Sequence, residues 1–167
     1  MLAELAARGT PFVGLLYAGL MVSNGRPNVL EFNCRFGDPE TQCVLPLLEG
    51  DLLTMLVASA AGDFEGVSLQ PPTKTTVTVC LTAGGYPEQA DFGSPIRGIE
   101  EAEAEGALVF HAGTALRDGT LVTNGGRVLN VTGVGESLGE ARGRAYAAAA
   151  KISFQGMRYR GDIAADA

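Results

Sequence analysis

Between Gly62 and Thr73 the chain carries Gly62, Gly66, Pro71 and Pro72, and this punctuation constrains its fold more than any other feature. Proline has no backbone donor and fixes φ, and the residue before it avoids the helical region, so neither a helix nor a central strand continues through the stretch. The 167 residues therefore divide into a first part, 1–66, and a second, 67–167. That length holds one ordinary domain, or one domain and a piece of another.

The first part opens with Leu2, Leu5 and Ala6 at helical spacing, stopped by Gly9 and Pro11. Phe12 to Val22 is nearly all apolar and reads as a buried strand, and Asn28 to Asn33 reads as a second strand. Ser23-Asn-Gly-Arg26 joins them, since an Asn-Gly pair tolerates the positive φ of a tight hairpin. Glu40 to Ala61 is predicted to be mostly helical, with Pro46 shortening its first segment and Asp51 capping a second one after Gly50.

In the second part, Lys74 to Thr82 alternates β-branched residues, Ala107 to Arg117 and Thr120 to Val122 flank an Asp118-Gly119 turn, and Arg127 to Thr132 makes a further strand. One antiparallel sheet is expected. Ser137-Leu-Gly-Glu140 has the pattern of a capping box opening a helix that runs to about Ile152. Its face of Leu138, Ala141, Ala145, Ala148 and Ile152 must cover the sheet, which makes the fold class α+β. Glu100, Glu101, Glu103 and Glu105 read as a solvated helical turn.

Composition narrows the function classes. A chain 46% hydrophobic and 19% charged buries a core. A net charge of −7 without a basic run disfavours nucleic acid or an anionic membrane surface, both of which require clustered Lys and Arg. The longest apolar run is broken by Gly14 and Gly19 and is too short to span a bilayer. Cys34, Cys43 and Cys80 are odd in number and lack CxxC spacing, which fits reduced thiols better than a zinc site or a disulfide framework. With no signal-peptide pattern at Met1 to Arg8, the expected location is cytoplasmic.

The densest chemistry lies in Glu31-Phe-Asn-Cys-Arg-Phe-Gly-Asp-Pro-Glu-Thr-Gln42. Strand side chains alternate, so Glu31 and Asn33 share a face. A carboxylate beside an amide carbonyl suits Mg²⁺, a hard cation that takes oxygen ligands and keeps waters; the bland alternative is a solvated strand end. Arg35, Asp38 and Glu40 follow, where a guanidinium can grip phosphate or carboxylate, or simply pair with Asp38 ahead of a helix begun at Pro39. Gly133-Val-Gly135-Glu-Ser-Leu-Gly139 mimics a dinucleotide fingerprint and so raises an oxidoreductase as a competing class. Its third glycine is one place late, and Glu136 and Glu140 would repel a pyrophosphate. His111, the lone histidine, stands at a strand end and reads as hydrogen-bonded structure.

The twelve-residue block from Glu31 resembles the metal-bearing strand and loop of the phosphoribosylamine–glycine ligase family, within the ATP-grasp superfamily. Gly9-Thr-Pro-Phe-Val-Gly-Leu-Leu-Tyr-Ala-Gly-Leu-Met21 is similar to the preceding strand of that family. Gly84-Gly-Tyr-Pro87, Val109-Phe-His-Ala-Gly-Thr114 and Thr123-Asn-Gly-Gly-Arg-Val-Leu129 are similar to its C-terminal domain. The resemblance implies that 1–66 is the C-terminal piece of an ATP-grasp domain and 67–167 the small C-terminal α+β domain. It implies a ligase of purine biosynthesis that uses ATP, glycine and 5-phosphoribosylamine, with Mg²⁺ or Mn²⁺ held by Glu31 and Asn33 and with Arg35 and Asp38 facing the substrates. Many ATP-grasp enzymes take a third acidic ligand from the preceding strand, whereas Leu15 to Val22 holds none. In the family, most of the adenine pocket and the phosphate lid precede the first residue here. The isolated chain is therefore expected to be inactive, and to self-associate or to work with a companion N-terminal chain. The alternative is a non-catalytic binding or interaction module on the same fold.

Overall fold

The computed structural model describes residues 1–165 and separates into two compact units, Met1–Asp38 with Leu48–Pro71, and Pro39–Leu47 with the residues from Pro72 onward.

In the first unit, α1 (Leu2–Ala7) precedes a hairpin of β1 (Tyr17–Ser23) and β2 (Arg26–Asn33). Asn24 and Gly25 both adopt positive φ, 51° and 72°, as the Asn-Gly pair predicts for a tight turn whose twist suits the flanking strands. The strand expected from Phe12 starts only at Tyr17. Gly14 sits at φ 125°, a conformation outside the strand region, and breaks the apolar run there. The run is also not buried as predicted: Leu20 is 50% and Val22 66% exposed. Apolar composition alone does not bury a strand; a second layer has to cover it, and this hairpin is a two-stranded sheet. The same unit holds the helix at Leu52–Ala61. Asp51 caps its start by accepting from the amides of Leu53 and Thr54, and Gly62, left-handed at φ 70°, ends it.

The second unit begins with α2 (Glu40–Val44), which tightens into a 3₁₀ turn at Leu45–Leu47 where Pro46 removes a donor. With α2 assigned, the Leu52–Ala61 helix is α3. A three-stranded antiparallel sheet follows, ordered β3-β7-β4, from β3 (Thr75–Thr82), β4 (Leu108–His111) and β7 (Arg127–Gly135). β5 (Thr114–Arg117) and β6 (Thr120–Thr123) form a separate hairpin, closed by Asp118 at φ 48° and Gly119 at φ 77°. The single sheet expected from sequence is thus two sheets. The chain turns at Ala112-Gly113, where Gly113 has no room for a side chain because a Cβ would meet Gly125 Cα at 2.5 Å. α4 (Ile99–Ala104) is the acidic helical turn, with Glu100 exposed and Glu105 just beyond it pairing with Lys151 at 2.9 Å.

α5 (Leu138–Ala149) lies on one sheet face, burying Ala141, Ala145 and Ala148 against Val77, Val79, Leu81, Leu129 and Val131. The Ser137 half of its capping box forms, with Ser137 Oγ accepting from the Glu140 amide, while Glu140 Oε2 accepts from the Glu136 amide, one residue ahead of the cap. On β3, Thr76 Oγ1 donates to the Cys43 carbonyl at 2.9 Å. Cys43 Sγ lies 3.0 Å from Thr78 Oγ1, which is 2.6 Å from Thr132 Oγ1, so a polar seam ties α2 to β3 and β7. None of the three cysteines is in a disulfide.

Candidate metal-binding site

β2 brings Glu31 and Asn33 together. They stand two residues apart on one strand face, and Asn33 Nδ2 donates to Glu31 Oε1 at 2.9 Å. The opposing strand explains how they fit. Glu31 is registered against Gly19 and Asn33 against Tyr17, and the ladder shifts between Gly19 and Leu20, leaving Leu30 as the extra residue just before Glu31. Bulges at this kind of position re-aim the next side chain. A Cβ on Gly19 would sit 3.2 Å from Glu31 Cγ, so the glutamate stem crosses bare backbone. Gly19 is the residue that sequence reasoning overlooked. Its signal was visible, since a glycine inside an apolar strand marks a close approach.

Glu31 is exposed and Asn33 half-buried. The donor set fits a small hard cation. One carboxylate supplies charge, one amide oxygen supplies a neutral ligand after half a turn about its last side-chain bond, and the open side leaves room for phosphate oxygens and water. It does not fit a structural zinc, and no group of three or more His, Cys, Asp or Glu side chains gathers anywhere among the described residues.

Beyond Asn33 the chain leaves the ladder. Arg35 is exposed and donates from Nη1 to the Phe36 carbonyl at 2.8 Å. Gly37 is buried and Asp38 half-buried. Glu40 opens α2 in the second unit, with Pro39 at its N-cap. His111 is exposed and its Nδ1 is 3.0 Å from Thr114 Oγ1, a bond that spans the turn between β4 and β5. Gly133 and Gly135 lie within β7, not in a loop ahead of a helix. A Cβ on Gly133 would come within 2.1 Å of the Ala141 carbonyl oxygen, and one on Gly135 within 2.6 Å of the Ala141 amide. These glycines bring β7 onto α5, which accounts for the spacing that mimics a nucleotide fingerprint.

Residues 76–166 match the phosphoribosylglycinamide synthetase C domain, and residues 1–41 match the ATP-grasp (A) domain of the same synthetase. The phosphoribosylamine–glycine ligase of Synechocystis is 51% identical over 161 residues, which is 95% of this chain and 38% of that protein. The ligase of Vibrio parahaemolyticus is 46% identical over 160 residues, 95% of this chain and 37% of the relative. The crystal structure of phosphoribosylamine–glycine ligase from Thermotoga maritima superposes with a TM-score of 0.82 at 39% identity, covering 96% of this chain and 39% of that one. The chain thus spans less than two fifths of the length of these relatives and corresponds to their C-terminal part.

Proposed function

Because the chain belongs to the phosphoribosylglycinamide synthetase family, we propose that it carries the metal-bearing end of an ATP-dependent ligase. That ligase joins glycine to 5-phosphoribosylamine to give glycinamide ribonucleotide, ADP and phosphate in purine biosynthesis. Residues 1–66 are then the end of the ATP-grasp domain and 67–167 the C domain, a division supported by the separate matches to 1–41 and 76–166. The observation that carries the reading is the Glu31 carboxylate held beside the Asn33 amide over Gly19.

Forming an amide from a carboxylate requires an oxygen to leave, and a bare oxide does not. Glycine's carboxylate therefore first takes the γ-phosphoryl group of ATP as ADP departs. The amine nitrogen then bonds to the acyl carbon while phosphate leaves with the oxygen, and the amine gives up a proton. A carboxylate nearing a triphosphate is repelled, and Mg²⁺ or Mn²⁺ bound here supplies the neutralising charge. Glu31 would hold the cation with a charged oxygen and Asn33 with a neutral one. Two protein ligands leave the remaining positions to phosphate oxygens and water. Arg35 offers a planar set of donors to a substrate carboxylate or phosphate, and Asp38 offers an acceptor to a substrate amine.

The test uses a protein of the relatives' full length that ends in this chain. Glu31→Gln removes the ligand charge and should lower kcat on the order of a hundredfold, about 3 kcal/mol, while moving the rate to higher Mg²⁺ demand. Asn33→Asp keeps an oxygen and adds charge, so it should cost less. Near-native kcat with an unchanged metal optimum in Glu31→Gln removes Glu31 from the site.

A further inference from the structure

We propose that the second unit carries a binding site for a nucleoside monophosphate, in a cavity walled by Arg127, Arg158, Arg160, Tyr86 and Tyr159. The cavity has a volume of about 430 Å³ and no carboxylate among its lining residues, a size typical of small-molecule sites. Three of the chain's twelve cationic side chains meet there, in a protein of net charge −7. Guanidinium groups present paired donors that match phosphate oxygens, and phenol rings present flat faces that match a nucleobase. Asp162 engages Arg160 through Nε at 2.9 Å and Nη2 at 2.6 Å and offsets its charge, so Arg158 is assigned the phosphate.

The walls are built rather than incidental. Arg158 is bridged to β3 by backbone bonds in both directions with Thr82, at 2.8 and 3.0 Å. The following segment is anchored to α5 by side chains. Tyr146 Oη donates to the Arg160 carbonyl at 2.7 Å and accepts from the Ile163 amide at 3.1 Å. Arg142 donates to the carbonyls of Ile163 and Gly161, both at 2.9 Å, and its guanidinium lies 4.7 Å from the centre of the Tyr146 ring. The segment also packs Met157, Ile163 and Ala164 against the core, so the exposed Arg158, Tyr159 and Arg160 are carried on ordered backbone, and a ligand gains affinity from walls that are already ordered. On the other side, the Tyr86 ring lies on bare backbone: a Cβ on Gly126 would meet Tyr86 Cδ2 at 2.4 Å. Gly126 thus sets the position of one aromatic wall without itself offering a contact.

The site stands apart from the metal pair in residues and in evidence, so it is tested with no metal and no turnover. The 167-residue chain is titrated by calorimetry in Mg²⁺-free buffer with adenosine 5′-monophosphate, ribose 5-phosphate and adenosine. Adenosine 5′-monophosphate should bind about tenfold or more tightly than ribose 5-phosphate, because base stacking adds to the phosphate contacts. Arg158→Gln should weaken both phosphates on the order of tenfold. Gly126→Ala displaces the Tyr86 ring, and Tyr86→Leu removes it; each should weaken the nucleotide while leaving ribose 5-phosphate unchanged, at an unaltered urea midpoint. Equal affinity for nucleotide and sugar phosphate, unchanged binding in Arg158→Gln, or no saturable heat from the folded wild-type chain would each overturn the proposal.

Discussion

Replacing Gly133 with alanine should be among the most damaging single-methyl changes in the second unit, and the structure sets the scale. A Cβ there lies 2.1 Å from the Ala141 carbonyl oxygen and 2.6 Å from the Ala145 amide. Carbon and carbonyl oxygen approach comfortably at about 3.3 Å, so strand and helix must part by roughly 1 Å. The obstacle is helix backbone, which cannot swing aside as a side chain would, and the contact lies over Ala141 and Ala145, both fully buried. Overpacking costs about 1–3 kcal/mol even when side chains yield; with backbone on both sides the upper end, about 3 kcal/mol, is expected. For a unit of this size that lowers Tm on the order of 10–20 °C. Gly143 serves as the control, because it lies in the same helix with nothing within 4 Å of its added Cβ. Gly143→Ala should stabilise by about 0.5–1 kcal/mol through backbone entropy alone. Urea unfolding followed by far-UV circular dichroism reads both. A dinucleotide-loop role for Gly133 would leave the ligand-free protein's stability untouched, so a wild-type midpoint in Gly133→Ala refutes the packing argument.

Two further outcomes follow from hydrogen bonds. Asp51 has its carboxyl held below the ordinary 3.8, first by the Thr54 hydroxyl and then by backbone amides at the start of α3. A depressed folded value means the contribution is complete above the unfolded value and lost as pH falls through the folded one. Asp51→Ala should therefore lower the helical signal or melting midpoint at neutral pH, with the gap to wild type closing in acid; a gap constant with pH would refute the charged cap. Tyr146→Phe removes a donor to Arg160 and an acceptor for the Ile163 amide, and should cost about 1–2 kcal/mol in urea unfolding. No change there would mean the segment from Arg158 is not held by the Tyr146 hydroxyl.

Local chemistry carried much of this structure into the sequence. The Asn24-Gly25 and Asp118-Gly119 turns, the Asp51 cap and the Ser137 cap all rest on interactions within a few residues, and all appear in the structure. So does the shared face of Glu31 and Asn33, which needs only the period of a strand. What sequence could not supply is the identity of the opposing element. The apolar run of β1 implied burial, yet burial depends on a second layer, and Val22 is 66% exposed. Gly133 and Gly135 looked like a loop because glycine spacing does not record what lies across from it; here that is the backbone of α5. The cavity lined by Arg127 and Arg158 joins residues 31 positions apart, and no spacing rule links them. The same asymmetry decides how each glycine is to be used in experiment. Gly139, third in the apparent fingerprint, has nothing within 4 Å of an added Cβ, whereas Gly133 and Gly135 meet helix backbone. A pattern serving one ligand loop would make the three glycines equivalent. A strand pressed against a helix instead makes two of them indispensable and leaves the third free to vary.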